Sequence, residues 1–280
     1  MIDLITIFTD TEKLCQNDKI LSAAITDTIK HQYIVRNVND IKPKAEQHRF
    51  IKPANIVVSQ KRSLEAAKDY PDDHVCVLNF ASATHAGGGV RYGARAQEEC
   101  LCRCSTLYFA IDDPETEKNF HVYHRQLLSS KKMNRLYNDD CIFSPGIIVI
   151  KTDTEFPQRL PKADRFTVDV ITCAAPDLNS YYDRIRITKE KLKEIHKNRA
   201  RRILDIAVSE GEDVMVLGAF GCGAFRNPPE IVAEVYREVV HEYDYDFKTI
   251  EFAVYCPPGS KGENFQAFNN AFIRTSAQKL

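Results

Sequence analysis

Val77-Leu78-Asn79-Phe80-Ala81-Ser82-Ala83-Thr84-His85-Ala86-Gly87-Gly88-Gly89-Val90-Arg91-Tyr92-Gly93-Ala94-Arg95-Ala96-Gln97-Glu98-Glu99 reads as strand, loop and helix in succession. An apolar run meets Asn79, passes through small residues, reaches three consecutive glycines and enters a stretch that starts with Gln-Glu-Glu. Ordering three adjacent glycines costs backbone entropy, about 1 kcal/mol or more each. A loop keeps them where something approaches the backbone closely or φ must be positive; the plainer alternative is a flexible linker. Glu98 and Glu99 also carry two readings. Acids in a first helical turn complement the helix dipole, and Glu99 with Arg103 makes an i,i+4 surface pair, both marks of a solvated helix start. Glu99 lies off the apolar stripe of Leu101, Cys104, Leu107 and Tyr108. The functional alternative needs the glycine loop to fold a ligand over that helix end.

Outward from this stretch the same alternation repeats. Short β-branched runs occur at Asn55–Val58, His74–Phe80, Ile147–Lys151, Phe166–Cys173, Asp213–Ala219 and Thr249–Cys256. Runs apolar for most of their length fit strands of a sheet covered on both faces. Between them Ser63–Lys68, Gln97–Phe109, Thr188–Ser209, Pro229–Tyr243 and Phe265–Ile273 read as helices. In the fourth, Ile231, Val235 and Val239 form a stripe with Val232 and Val240 beside them. Asn227, Pro228 and Glu230 predict its start as N-cap, first helical proline and capping-box acid. Strands alternating with helices give an α/β class in three layers. Residues 1–50 have weaker signals, a short helix over Ser22–Ile29 and an extended Gln32–Val38 segment. They are read as an N-terminal extension packed on a core domain of residues 51–280.

Lys+Arg number 38 against Asp+Glu 39 in 280 residues, so charge balance gives no sign of a general nucleic-acid or membrane binder. With 44% apolar and 28% charged residues the composition excludes disorder and collagen-like repeats. No run approaches a membrane span, and no secretory leader is expected. Nine scattered cysteines fit reduced thiols and a cytoplasmic or nuclear setting. Cys100, Cys102 and Cys104 fan out about 200° per step on a helix, poorly placed to converge on a metal. Nine Lys/Arg between Arg184 and Arg202 read as a solvated helix face or as an attraction for a polyanion.

A second loop follows another apolar run: Val214-Met215-Val216-Leu217-Gly218-Ala219-Phe220-Gly221-Cys222-Gly223-Ala224-Phe225-Arg226-Asn227-Pro228. Backbone N–H groups in such a loop, next to a helix start, can cradle phosphate; a tight turn is the alternative. There is no Gly-Lys-Ser/Thr ending, and position 226 is Arg, so the Walker A and dinucleotide fingerprints both fail. Cys222 is a candidate nucleophile with no His or carboxylate tied to it by sequence.

The two loops, in this order, resemble the poly(ADP-ribose) glycohydrolase family, most closely its compact microbial type built on a macrodomain. The family signature of three glycines, six to eight residues and Gln-Glu-Glu matches Gly87-Gly88-Gly89 and Gln97-Glu98-Glu99, seven residues apart. Leu78–Ala83 resembles the family's strand into that loop and Gly218–Phe225 its diphosphate loop. Likeness extends through Asp139–Pro145, Ala174–Pro176 and Arg201–Leu204, so about residues 50–260 are covered. His85-Ala86 before the glycines and Arg226, where a glycine is usual, depart from the pattern.

The resemblance implies a macrodomain-like fold, a mixed central sheet flanked by helices, and hydrolysis of the ribose–ribose O-glycosidic bond of poly(ADP-ribose), mainly from chain ends. Such bonds break through an oxocarbenium-like transition state that needs a proton on the departing oxygen. By residue matching, Glu99 protonates the leaving hydroxyl and then deprotonates water. Glu98 fixes the sugar hydroxyls and Asn79 orients the distal ribose. Gly87, Gly88 and Gly89 together with Gly221, Cys222, Gly223, Ala224 and Phe225 hold the diphosphate, Phe225 packing on the ribose; Gln97 belongs to the same substrate-binding set. A useful acid needs a raised pKa, so Arg103 is expected to turn away from Glu99. No metal or cofactor is implied. The partners are poly(ADP-ribose), ADP-ribose and ADP-ribosylated proteins, with no membrane and no direct nucleic-acid binding. A non-catalytic ADP-ribose reader and a mono-ADP-ribosyl hydrolase are the rival functions, the paired acids arguing against the reader.

Overall fold

In the computed structural model, which describes residues 3–42, 48–179 and 185–276, seven strands form one mixed sheet between two layers of helices. The order along the chain is α1 (Leu4–Asn17), α2 (Lys19–His31), β1 (Tyr33–Val35), β2 (Asn55–Ser59), α3 (Ser63–Ala67), β3 (Val75–Phe80), α4 (Gln97–Cys104), α5 (Leu107–Ile111), α6 (Pro114–Glu117), α7 (Tyr123–Ser129), β4 (Cys141–Val149), β5 (Phe166–Cys173), α8 (Lys189–Glu210), β6 (Val214–Leu217), α9 (Pro229–Val240), β7 (Thr249–Ala253) and α10 (Glu263–Ser276). Across the sheet the order is β1-β4-β5-β3-β6-β7-β2. β1 and β4 enter antiparallel; β5, β3, β6, β7 and β2 run parallel.

Side-chain alternation divides the core in two. Cys76 and Leu78 of β3 and Met215 and Leu217 of β6 join Leu204, Val235 and Phe268 on one face. Val75, Val77, Val214 and Val216 join Leu101, Cys104, Leu107 and Phe8 on the other. A strand buried on both sides has no polar positions to spare, hence the near-continuous apolar runs in the sequence. Asn79 of β3 is polar and fully buried, and alternation turns it to the α4 side, where its register partner on β5 is the equally buried Thr172.

The parallel register decides where a ligand can go. Val75, Cys76 and Val77 pair with Val214, Met215 and Val216. The glycine-rich loops after β3 and β6 therefore leave from the same edge of the sheet, beside the ends of β5 and β7. Crevices at the carboxyl ends of parallel strands are the usual ligand sites of such sheets.

Several sequence expectations change. The helix expected over Gln97–Phe109 is two helices, broken at Ser105, whose backbone bridges Val149 and whose hydroxyl returns to Leu101 O. The strand expected at Ile147 begins six residues earlier, at Cys141. Asn227 is not the cap of α9. Pro228 occupies that position and Pro229 starts the helix, because the Asn227 side-chain oxygen, the capping acceptor, faces His196 Nε2 while its nitrogen donates to Pro176 O and Gly221 O. Of the cationic run, Arg184 lies outside the described residues. Lys193 pairs with Glu234, Lys197 with Glu238 and Arg201 with Glu242, a ladder from α8 to α9 and the turn that follows it, which consumes charge a polyanion would need.

The N-terminal segment is tied in more tightly than its sequence suggests. β1 extends the sheet on β4, and α1 lies against α4 and the glycine loop. Thr11 Oγ1 donates to Arg103 O (2.5 Å), Arg91 pairs with Glu12 (2.8 Å), and the buried Lys151 ammonium meets Asp10 (3.0 Å) and Ile7 O. Phe8 packs edge-on against Tyr108 at 5.0 Å.

Candidate active site

Glu98 and Glu99 open α4 and are both buried, 3% and 7% exposed, so the solvated-helix reading of this pair is wrong. Glu98 Oε2 accepts the Ser82 N–H at 2.8 Å, the Gly87 N–H also reaches the carboxylate, and Asn79 Nδ2 lies 3.4 Å from Oε1. Glu99 Oε1 accepts the Gly89 N–H at 2.9 Å. The loop that begins and ends on these contacts thus wraps the two carboxylates with its own backbone. Glu99 Oε2 and Asn79 Oδ1 are buried with no partner among the described residues. Orphaned buried acceptors are rare and call for a reason, such as a ligand or a catalytic role.

The elements around the pair are held independently of it. Arg103 does turn away from Glu99, donating to Ala94 O (2.6 Å) and Cys100 Sγ (3.4 Å). Gln97, placed in the substrate-binding set by the resemblance, is bonded within the protein through its side chain. Its amide oxygen accepts the Phe80 N–H (2.9 Å) and its nitrogen donates to Leu78 O (2.8 Å) and Ser63 Oγ (2.9 Å). It locks α4 to the end of β3 and borders the cleft with both side-chain N–H groups engaged.

Burial, with the Glu99 charge beside it, pushes the Glu98 carboxyl up to about 8 against the Ser82 and Gly87 N–H groups. The sign follows from linkage. A carboxyl whose pKa rises on folding holds its proton better in the native state, so its contribution is full below the ordinary value and falls as pH rises toward the native one. The melting temperature of the wild type should therefore decline relative to Glu98→Gln between pH 4.5 and about 8. Parallel melting curves across that range would show that Glu98 titrates normally.

The second loop stands alongside. Its carbonyls are tied back: Gly221 O to Asn227, Gly223 O to the Arg226 N–H (3.1 Å) and Phe225 O to the Leu178 N–H (3.0 Å). The N–H groups of Gly223, Ala224 and Phe225 have no partner among the described residues. Carbonyls inward and amides free is the polarity of an anion cradle. Arg226 has φ +55°, left-handed backbone that accounts for the glycine usual at this position. Cys222 is a poor nucleophile, burial pushing its thiol well up.

Gly221, Gly223, Ala224, Phe225 and Gln97 line one cleft of about 340 Å³ together with Arg62, Asp153 and Tyr255. The sequence reading missed these last three. Arg62 covers the Tyr255 ring at 3.8 Å, and Asp153 accepts the Leu64 N–H (3.0 Å) while its Oδ1 is buried and unpartnered. Tyr255 follows β7 directly, so the rule of ligands at parallel-strand ends points to it. Asp153, after β4, had no such signal. Tyr137 sits 6.4 Å from the Phe225 ring.

Residues 6–152 match the family model of the microbial-type poly(ADP-ribose) glycohydrolase (PARG) catalytic domain. The chain belongs to that family. It is a glycosidase with a macrodomain-like fold. Solved PARG structures are similar over nearly the whole chain. The Thermomonospora curvata enzyme is 26% identical with a TM-score of 0.81, covering 96% of this chain and 99% of its own. The same enzyme bound to the inhibitor ADP-HPD is 25% identical with a TM-score of 0.78, covering 96% and 99%. Deinococcus radiodurans PARG in complex with ADP-ribose is 26% identical with a TM-score of 0.74, covering 90% and 97%. No curated protein matches the chain. Among the described residues, no helix of this PARG is long and apolar enough to cross a membrane.

Proposed function

We propose that this PARG hydrolyses ribose–ribose bonds of poly(ADP-ribose), mainly from chain ends, with Glu99 as acid and then base. The observation that carries the reading is the Glu99 carboxylate: one oxygen fixed against the glycine loop by the Gly89 N–H, the other buried and without a partner among the described residues. Oε2 is the atom from which a proton can pass to the departing ribose oxygen and to which the proton of the water attacking C1 can return. Glu98, pinned by Ser82 and Gly87, holds sugar hydroxyls, with Asn79 beside it on the distal ribose. Gly87–Gly89 and Gly221–Phe225 take the diphosphate. Tyr255 and the free Asp153 Oδ1 suit an aromatic base with an exocyclic amine at the far end of the cleft.

Residues 1–50 are an extension packed on the glycohydrolase domain of residues 51–280, a reading supported by the grip of α1 on α4 and the glycine loop. ADP-ribosylated proteins are the macromolecular substrates, in a cytoplasmic or nuclear setting. A time course on automodified polymer should release ADP-ribose monomers from the first points while the remaining polymer shortens gradually. The protein-linked unit should stay attached, because its bond lacks the ribose leaving group that Glu99 protonates. Early oligomers would overturn the chain-end preference, clearing of the last unit would favour a mono-ADP-ribosyl hydrolase, and binding without release would leave a reader.

A further inference from the structure

Behind the second loop lies a buried polar pair that does not itself line the cleft. His196, in the middle of α8, is fully buried, and its Nε2 is 2.9 Å from Asn227 Oδ1. Asn227 is 2% exposed. Its side-chain nitrogen donates to Pro176 O (2.7 Å) and Gly221 O (3.0 Å), and its backbone N–H donates to Gly221 O as well (3.0 Å). With both amide hydrogens given to carbonyls, Oδ1 is an acceptor, so the imidazole proton is on Nε2. Burial keeps the ring neutral, its pKa pushed down to about 4.

The consequence falls on Gly221. Its φ is +76°, and a Cβ there would lie 2.5 Å from Ala175 Cβ and 2.6 Å from Asn227 Nδ2. The peptide is therefore wedged against Asn227, its carbonyl gripped by two N–H groups of that one residue. Turning this carbonyl inward starts the segment whose next free amides belong to Gly223, Ala224 and Phe225. The same amide ties the loop to Pro176, which continues the end of β5. One turn further along α8, Arg199 donates to Ala174 O (2.8 Å) and holds Asp139 (3.1 Å), so α8 secures both walls from behind.

We propose that Asn227 and His196 are positioning residues that set the affinity for the substrate diphosphate without contacting it. Asn227 orients the Gly221 peptide, and His196 fixes which way the Asn227 amide points. The proposal rests on the reading of this loop as the diphosphate cradle. A cradle of backbone amides has no side chain to adjust, so its affinity depends on how firmly its peptides are preorganised.

The test is calorimetric titration of ADP-ribose into folded variants, with steady-state kinetics on polymer. Asn227→Asp keeps the shape but faces two carbonyls with a group that has lost both donors. It should weaken ADP-ribose binding about ten- to a hundred-fold and raise KM, while kcat at saturation stays within about three-fold. His196→Leu should weaken binding in the same sense, and His196→Gln, which keeps a donor, should restore it at least in part. A purely structural role would lower thermal stability in both His196 variants and leave the affinity of the folded fraction unchanged. That result overturns the proposal, as does a fall in kcat with affinity intact. If Asn227→Asp does not fold, the His196→Leu and His196→Gln pair decides. Gly223→Val separates this proposal from the reading beneath it. A Cβ there meets nothing within 4 Å, so the variant folds but crowds the cradle. Unchanged affinity in Gly223→Val removes the cradle itself; weakened affinity there with normal affinity in Asn227→Asp and His196→Leu removes only the positioning role.

Discussion

Glu99→Gln lowers turnover on poly(ADP-ribose) by about 10²–10⁴-fold, the usual worth of general acid–base catalysis, while ADP-ribose affinity stays within about three-fold. The asymmetry follows from the two carboxylate oxygens. Oε1 serves the loop, accepting the Gly89 N–H at 2.9 Å, and a glutamine amide oxygen can accept that bond equally well. Oε2 serves nothing in the protein, and it is the atom the substitution turns into an NH₂ that can neither take up nor deliver the proton in question. Arg103 donates to Ala94 O and Cys100 and not to Glu99, so the loss of charge breaks no bond between the two. Stopped assays with polymer give turnover, and titration with ADP-ribose gives affinity. Near-wild-type turnover would assign the proton transfer to another group. A parallel collapse of affinity would make Glu99 a binding residue.

How much of this was legible in the sequence depends on how local the deciding contact is. The strand, triple glycine and Gln-Glu-Glu stretch is one continuous segment, and its physical meaning lies within some twenty residues, from Asn79 to Glu99. Even there the partners of Gln97 could not be read, since Ser63 Oγ, Leu78 O and the Phe80 N–H become its neighbours only when α4 docks on the end of β3. Asn227 followed every local rule for a helix cap. Tertiary structure overrode them, because Gly221 and Pro176 offered its amide two buried carbonyls and His196 a donor. Ser105 is ordinary helix sequence until Val149 of β4 arrives to bridge it. The first fifty residues gave little because α1 draws its role from contacts with Arg103, Arg91 and Lys151, residues more than seventy positions away. Strand identity was readable because β3, β6 and β7 are buried on both faces. Register, which places both loops at one edge, was not.

Gly88→Ala tests that arrangement at its tightest point, and it lowers kcat/KM by about 10²-fold or more, as a displacement of roughly 1 Å at a reacting group can. Gly88 has φ +56°, and a Cβ added there would stand 2.4 Å from Glu99 Oε1 and 3.1 Å from Glu98 Oε2. The left-handed backbone costs an L-residue about 1–2 kcal/mol, a modest loss for a domain of this size. Relief at the contact is a different matter. The nearest atom is the end of a side chain, so the fold survives by moving Glu99, and Glu99 cannot move without stretching its bond from the Gly89 N–H. The substitution therefore acts on the catalytic carboxylate through the backbone of a neighbouring residue, with thermal stability largely kept. A double-mutant cycle isolates that route. If Gly88→Ala acts by displacing Glu99, adding Glu99→Gln to it costs far less than Glu99→Gln costs alone, since the same proton transfer is already impaired. Fully additive losses would mean that the methyl group obstructs substrate entry and leaves the carboxylate in place. Wild-type activity in a folded Gly88→Ala protein would mean that the loop stands off Glu99 when substrate is bound.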